Sequence, residues 1–177
     1  ASGSEHADNL APGIFGGFTL VKSTHPLEIL QLPTPKDIYA TIIHPLIEIK
    51  TSDARAILPK TFPLKDVITQ WANLGSLVHA LHTSDYELLK RSLHDVIVEP
   101  HRSQLIPHFE EVKSGALKHG ALGTSIAGAG PSIFALSKGI ENAKNVEKAM
   151  RNIYSETGIK FETHVSEINT QGIREIL

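Results

Sequence analysis

The sequence predicts an α+β sandwich: an antiparallel sheet with helices packed on one face. Three observations predict it. Beyond Pro35 the patterned segments run strand, several helices, two strands around a Gly-rich turn, helix, strand. The helical segments carry apolar residues at a spacing of three and four, as in Val67, Ile68, Trp71, Leu74, Leu77, Val78 and Leu81. The extended segments are short, β-rich and bounded by Pro or Gly. With 177 residues the chain is long enough for one substantial core, or one domain and part of another.

The elements follow in order. Asp8 or Asn9 caps a short first helix with Pro12 in or near its first turn, and Gly16-Gly17 ends it. Phe18 to Val21 is a strand, and Leu27 to Leu32 alternates as a second one before Pro33-Thr34-Pro35 excludes ladder pairing. These first residues supply helix and strand but too little to close a core of their own. Ile38 to Ile43 is a nearly continuous apolar run, read as a buried strand. Thr51 or Ser52 caps a helix over Asp53 to Leu58, which Pro59 helps to stop. Helices follow over Val67 to Leu81, over Asp85 to Leu93 with a Ser84-Asp85 cap, and over Ile106 to Lys118. Thr124 to Ala127 and Ser132 to Leu136 bracket a Gly-Ala-Gly-Pro turn. Asn142 to Thr157 is an amphipathic helix with Gly158 at C′, and Phe161 to Ile168 is the last strand.

Composition narrows the function. Lys and Arg number 17 against 19 Asp and Glu, a net charge of −2, so there is no general electrostatic drive toward nucleic acid or an acidic membrane. No run of 18 apolar residues occurs. Cys is absent, which excludes disulfides and cysteine nucleophiles and is compatible with a reducing cytoplasm. The chain opens Ala-Ser-Gly-Ser, with Met150 its only Met, and is expected to be a fragment or processed product of something longer.

Four segments carry candidate chemistry. Gly123 to Ser132, with Gly128, Gly130 and Pro131 at its turn, lets backbone N–H groups approach an anion, or is simply a tight hairpin. His6, Asp8 and Asn9 gather polar atoms that position a hydroxyl or ammonium, or cap a helix. Thr51 and Arg55 share a helix face, and Arg55 lies at a helix start, where the dipole does not favour it. A ligand carboxylate gripped bidentately explains it, as does plain solvation. Arg102, after the Pro-bent Glu99-Pro100-His101 turn, carries the same two readings. His79 and His82 lie three apart on a helix, but no third ligand stands in an HExxH frame, so no metal site is expected.

At these residues the chain resembles the homoserine kinases of the GHMP kinase superfamily. The resemblance runs almost end to end: Ser2 to Pro12 with Gly16-Gly17, Ser52 to Pro59, Asp95 to Arg102 with Leu105-Ile106-Pro107, Gly123 to Ser132, and Thr170 to Arg174. It implies a ferredoxin-like α/β sandwich, the GHMP kinase C-terminal domain, over 35–177. A remnant of an N-terminal ribosomal-protein-S5-like domain occupies 1–34. It implies transfer of the γ-phosphate of ATP, with Mg2+, to the hydroxyl of L-homoserine in threonine biosynthesis, by a cytoplasmic enzyme that is a homodimer at full length and binds neither nucleic acid nor membrane. By this resemblance Asp8 and Asn9 are the catalytic candidates. His6, Asp8, Asn9, Thr51, Arg55 and Arg102 bind substrate, and Gly128, Gly130, Pro131 and Ser132 form the third-motif loop that buttresses the phosphate loop. That phosphate loop, P-x-x-x-G-L-G-S-S, has no match in these 177 residues, so the chain by itself is expected to be inactive. The third motif also departs from the family: Ile126-Ala127-Gly128 stands where Ile-Ser-Gly is frequent. Two other readings remain: another GHMP kinase acting on mevalonate-type or sugar alcohols, and a non-catalytic amino-acid-binding α+β domain.

Overall fold

A computed structural model describes residues 7–175. Helix α1 (Ala7–Phe15) leads into a hairpin of β1 (Phe18–Thr24) and β2 (Leu27–Leu32). Strand β3 (Ile38–Pro45) opens the larger unit. It is followed by α2 (Thr51–Ala56), α3 (Leu64–Thr83), α4 (Tyr86–Ser92), α5 (Glu99–Arg102), a 3-10 turn (Ser103–Leu105) and α6 (Phe109–Lys118). Strands β4 (Ala121–Ile126) and β5 (Ile133–Lys138), helix α7 (Ile140–Ser155) and β6 (Phe161–Glu167) complete it.

The four long-range strands form one antiparallel sheet in the order β4-β5-β3-β6. Helices separate β3 from β4, a hairpin joins β4 to β5, and α7 carries the chain across to β6. This is the ferredoxin-like split β-α-β arrangement. Among the described residues, β1 and β2 pair only with each other.

Two cores result. Residues alternate across a strand, so Ile43 on β3 and Ile133 and Ala135 on β5 point to one face. There they meet Phe109, Val112 and Ala116 of α6 and Val146, Met150 and Tyr154 of α7 in one cluster of buried residues. Thr41 lies on the same face and donates its hydroxyl to Ala143 O of α7 at 3.1 Å. The second cluster joins Ala80 and Leu81 of α3 to Leu89 of α4, with Phe18 and Leu32 of the hairpin and Leu93 and Leu122 packed against it. Gly123 serves this packing: an added Cβ would lie 2.6 Å from Leu93 Cδ1.

The structure corrects the local reading at several points. Pro12 is the sixth residue of α1, not in its first turn. α2 begins at Thr51, with Lys50 as a cap that makes no side-chain bond. Gly158 lies two residues beyond the last capping residue of α7, Glu156, one position past the expected C′. The stretch read as one helix from Ile106 begins only at Phe109. The Asp85 cap is as expected, its Oδ1 accepting Leu88 N–H at 2.9 Å. The apolar positions of α3 do not all face a core: Leu64, Ile68 and Trp71 are 69%, 54% and 66% exposed. No helix among the described residues is long and apolar enough to cross a membrane.

Candidate functional site

Four separate parts of the chain converge on one cavity of about 430 Å3, lined by Asp8, Asn9, Thr51, Arg55, Arg102, Gly128 and Ala129. α1 supplies Asp8 and Asn9 from its first turn, where an acidic side chain is favoured by the helix dipole. α2 supplies Thr51 and Arg55, one turn apart. α5 supplies Arg102, and the β4–β5 connection supplies Gly128 and Ala129. Six of the residues singled out by sequence therefore share one cavity. His6 lies outside the described residues.

Local folding explains these placements. The carboxylate of Asp95 accepts Ile97 N–H and Val98 N–H at 2.8 and 2.9 Å, which shapes the turn into α5 and so aims Arg102. Arg102 then donates from Nε to Ala54 O at 3.0 Å and from Nη1 to Gly128 O at 3.0 Å. One guanidinium thus ties α2 to the β4–β5 turn as well as lining the cavity. The preceding residue on that helix face, Glu99, is buried and paired with Lys113 of α6. Sequence reasoning identified Arg102 but not this tie, because backbone carbonyl partners leave no trace in side-chain patterns.

The residues of the third-motif loop divide by where they face. Gly128 has a φ of 61°, and a Cβ there would sit 3.9 Å from Asn9 Oδ1, so the loop and α1 face each other across the cavity. The turn is closed by Ala127 N–H donating to Ser132 O at 2.8 Å and by Gly130 N–H donating to Ala127 O at 3.1 Å. Gly130, Pro131 and Ser132 pack away from the cavity. A Cβ on Gly130 would lie 3.0 Å from Ile106 Cδ1, Pro131 is buried, and Ser132 Oγ is 2.8 Å from His44 Nδ1 on β3. Ala129, which lines the cavity, belongs to the same motif but was not singled out.

Chemically the cavity holds two guanidiniums, one carboxylate, a hydroxyl and a carboxamide. That set suits a small zwitterion carrying a further hydroxyl: fork geometry for a carboxylate, an anionic partner for an ammonium, and short polar groups for the hydroxyl. Among the described residues no group of three or more His, Asp or Glu could hold a metal ion.

The family described as GHMP kinases C terminal matches residues 77–156. The homoserine kinase of Chlorobium phaeobacteroides is 47% identical over 176 residues, covering 98% of this chain and 55% of that protein. The crystal structure of homoserine kinase from Cytophaga hutchinsonii superposes with a TM-score of 0.94 at 51% identity, over 96% of this chain and 54% of that one. The structure of a putative homoserine kinase from Listeria monocytogenes gives 0.67 at 20% identity, a likeness of fold alone. The chain therefore spans about half the length of the relatives it matches.

Proposed function

The chain belongs to the GHMP kinases as their C-terminal portion, and on that premise we propose that it forms the acceptor-binding side of a homoserine kinase. The observation that carries this reading is the cavity joining Arg55 and Arg102 to Asp8 and Asn9. Homoserine presents a carboxylate, an ammonium and a primary hydroxyl. Arg55 and Arg102 take the carboxylate and Thr51 adds a hydroxyl contact. Asp8 takes the ammonium or the reacting hydroxyl, and Asn9 and His6 hold the same end. MgATP supplies the phosphoryl group when bound, and its phosphate cradle is assigned to the portion of the kinase outside this chain.

Phosphoryl transfer needs in-line positioning and charge neutralisation more than covalent chemistry. Each wall of the cavity contributes to positioning. Arg102 holds α2 and the β4–β5 turn together, so the carboxylate grip and the third-motif loop keep one relative placement. Gly128 brings that loop to the cavity, while Gly130, Pro131 and Ser132 brace it from behind against Ile106 and His44. The reading extends to a boundary near residue 34, with 1–34 completing an N-terminal unit, and to a cytoplasmic homodimer acting in threonine biosynthesis.

A mevalonate-type or sugar acceptor is disfavoured by two arginines beside a carboxylate, because a sugar offers no carboxylate and mevalonate offers no ammonium. The experiment is a kinase assay of the whole enzyme against homoserine, mevalonate and galactose with MgATP. Turnover of homoserine alone is expected, and turnover of either other acceptor in preference to it overturns the reading.

A further inference from the structure

Thr170-Gln171-Gly172 follows β6, far along the chain from the cavity, and the functional reading leaves it unused. Its backbone is nevertheless built into the base of α1. After β6 the chain stays on the sheet for one bond, Ile168 N–H to Ile38 O at 3.1 Å, and then turns onto the end of α1. Gly17 N–H donates to Asn169 O at 2.7 Å. The Asn169 side chain shapes the turn, its Oδ1 accepting Gln171 N–H at 3.0 Å and its Nδ2 donating to Gly172 O at 3.3 Å.

The approach is so close that neither side has room for a side chain. A Cβ on Gly16 would lie 2.7 Å from Gln171 N and from Thr170 C. A Cβ on Gly172 would lie 2.6 Å from Ile14 C and 2.9 Å from Gly16 N. Gly16, Gly17 and Gly172 all take positive φ, at 74°, 63° and 61°. Backbone meets backbone there, a contact only glycine permits.

α1 needs such an anchor. It has nine residues, too few to hold a helix unaided in water. Pro12 inside it has no N–H, so the Asp8 carbonyl loses its partner one turn on. Only Ala11 is a buried residue of the helix. From Asn9 to Ile14 is about 7.5 Å along the axis, so a shift at the anchored end reaches the cavity wall.

We propose that residues 169–172 form a clasp on α1, and that Gly172 is a positioning residue through which the clasp holds Asp8 and Asn9 at the cavity. The catalytic consequence rests on the homoserine kinase reading; the clasp itself does not.

The test compares Gly172→Ala with Gly158→Ala in the whole kinase. Both positions have positive φ, at 61° and 74°, but nothing lies within 4 Å of a Cβ on Gly158. Gly172→Ala is expected to lower kcat/KM for homoserine by about tenfold or more while KM for ATP stays within about threefold. In the same variant the α1 amides should exchange with solvent faster, with protection of α6 and α7 unchanged. Gly158→Ala should move neither reading. Should Gly172→Ala fail to fold, Asn169→Ala loosens the same turn more gently and is expected to give both changes at smaller size. Unaltered α1 exchange in the clasp variants, or equal loosening by Gly158→Ala, overturns the proposal. If the unsubstituted kinase ignores homoserine, the functional reading falls while the exchange comparison still decides the clasp.

Discussion

The two faces of the four-stranded sheet are finished to different degrees. On the α6–α7 side, Ile43, Val112, Ile133, Val146, Met150 and Tyr154 are completely removed from solvent. On the other side, α3, α4 and the β1–β2 hairpin enclose a smaller cluster and leave Leu27, Leu64, Ile68 and Trp71 more than half exposed. α1, which carries Asp8 and Asn9, likewise exposes Leu10 and Ile14. The first face closes its core completely, whereas the second face and the cavity-bearing helix leave large apolar side chains uncovered among the described residues.

The largest effect expected from this contrast concerns activity. The chain alone should show no measurable turnover of MgATP and homoserine, because the proposed reading assigns the backbone cradle for the phosphates to the rest of the kinase and solvent offers no substitute. An ordinary kinase rate from these 177 residues would remove the reason for calling the cavity half of a site.

Next comes the closed core. Phe109→Ala removes a ring that is 2% exposed and should cost about 3–5 kcal/mol in denaturant unfolding. Trp71→Ala, on the open face at 66% exposure, should change the stability of the chain by only about 0.5 kcal/mol. It should, however, reduce self-association of the isolated chain in light scattering, since exposed apolar patches associate. Comparable losses of stability at both positions would erase the distinction between the faces.

At the cavity, Arg55→Ala in the whole kinase should raise KM for homoserine about 10- to 150-fold, the loss of a charge-assisted contact of roughly 1.5–3 kcal/mol. Arg55→Lys should recover only part, because an ammonium lacks the fork. Equal damage to the ATP and homoserine constants would refute the assignment.

The smallest effect returns to the closed layer. Tyr154 donates its hydroxyl to Pro107 O at 2.7 Å. Burial, with a smaller contribution from nearby Glu111, pushes its phenol up from 10.0 to about 12. The folded state therefore favours the neutral ring. This stabilisation is complete below pH 10 and disappears as the pH rises toward 12, where the unfolded phenol has already ionised. Tyr154→Phe should cost about 1 kcal/mol at neutral pH and flatten that alkaline decline in pH-dependent melting curves. An unchanged alkaline slope would show that other groups produce it.

How far the site was legible depended on side-chain chemistry. Asp8, Asn9, Thr51, Arg55 and Arg102 were identifiable because each brings a charged or polar group to a short helix or turn, and the resemblance placed them in order; Arg55 was read at a helix start but lies in the last turn of α2, where the dipole favours a cation. The structure adds their convergence on one cavity. It also adds the second duty of Arg102, whose partners are the carbonyls of Ala54 and Gly128. Carbonyls are common to every residue, so no pattern in the sequence marks them as acceptors. The third motif shows the same limit. Its glycines announced a tight turn, but only the packing separates Gly128 at the cavity from Gly123 against Leu93 and Gly130 against Ile106.

By itself the sequence determined the fold class, the number and order of the strands, and the kinship with GHMP kinases. Periodicity, caps and turn residues act over a few neighbours, and those neighbours are contiguous in the chain. Tertiary structure alone decided which apolar residues of α3 are covered, where α1 ends against the C-terminal segment, and how Gly172 meets Ile14 and Gly16. Those outcomes depend on surfaces brought together from distant segments. An exposed Trp71 and a buried Leu81 occupy the same helical pattern, and only the presence or absence of a facing element distinguishes them.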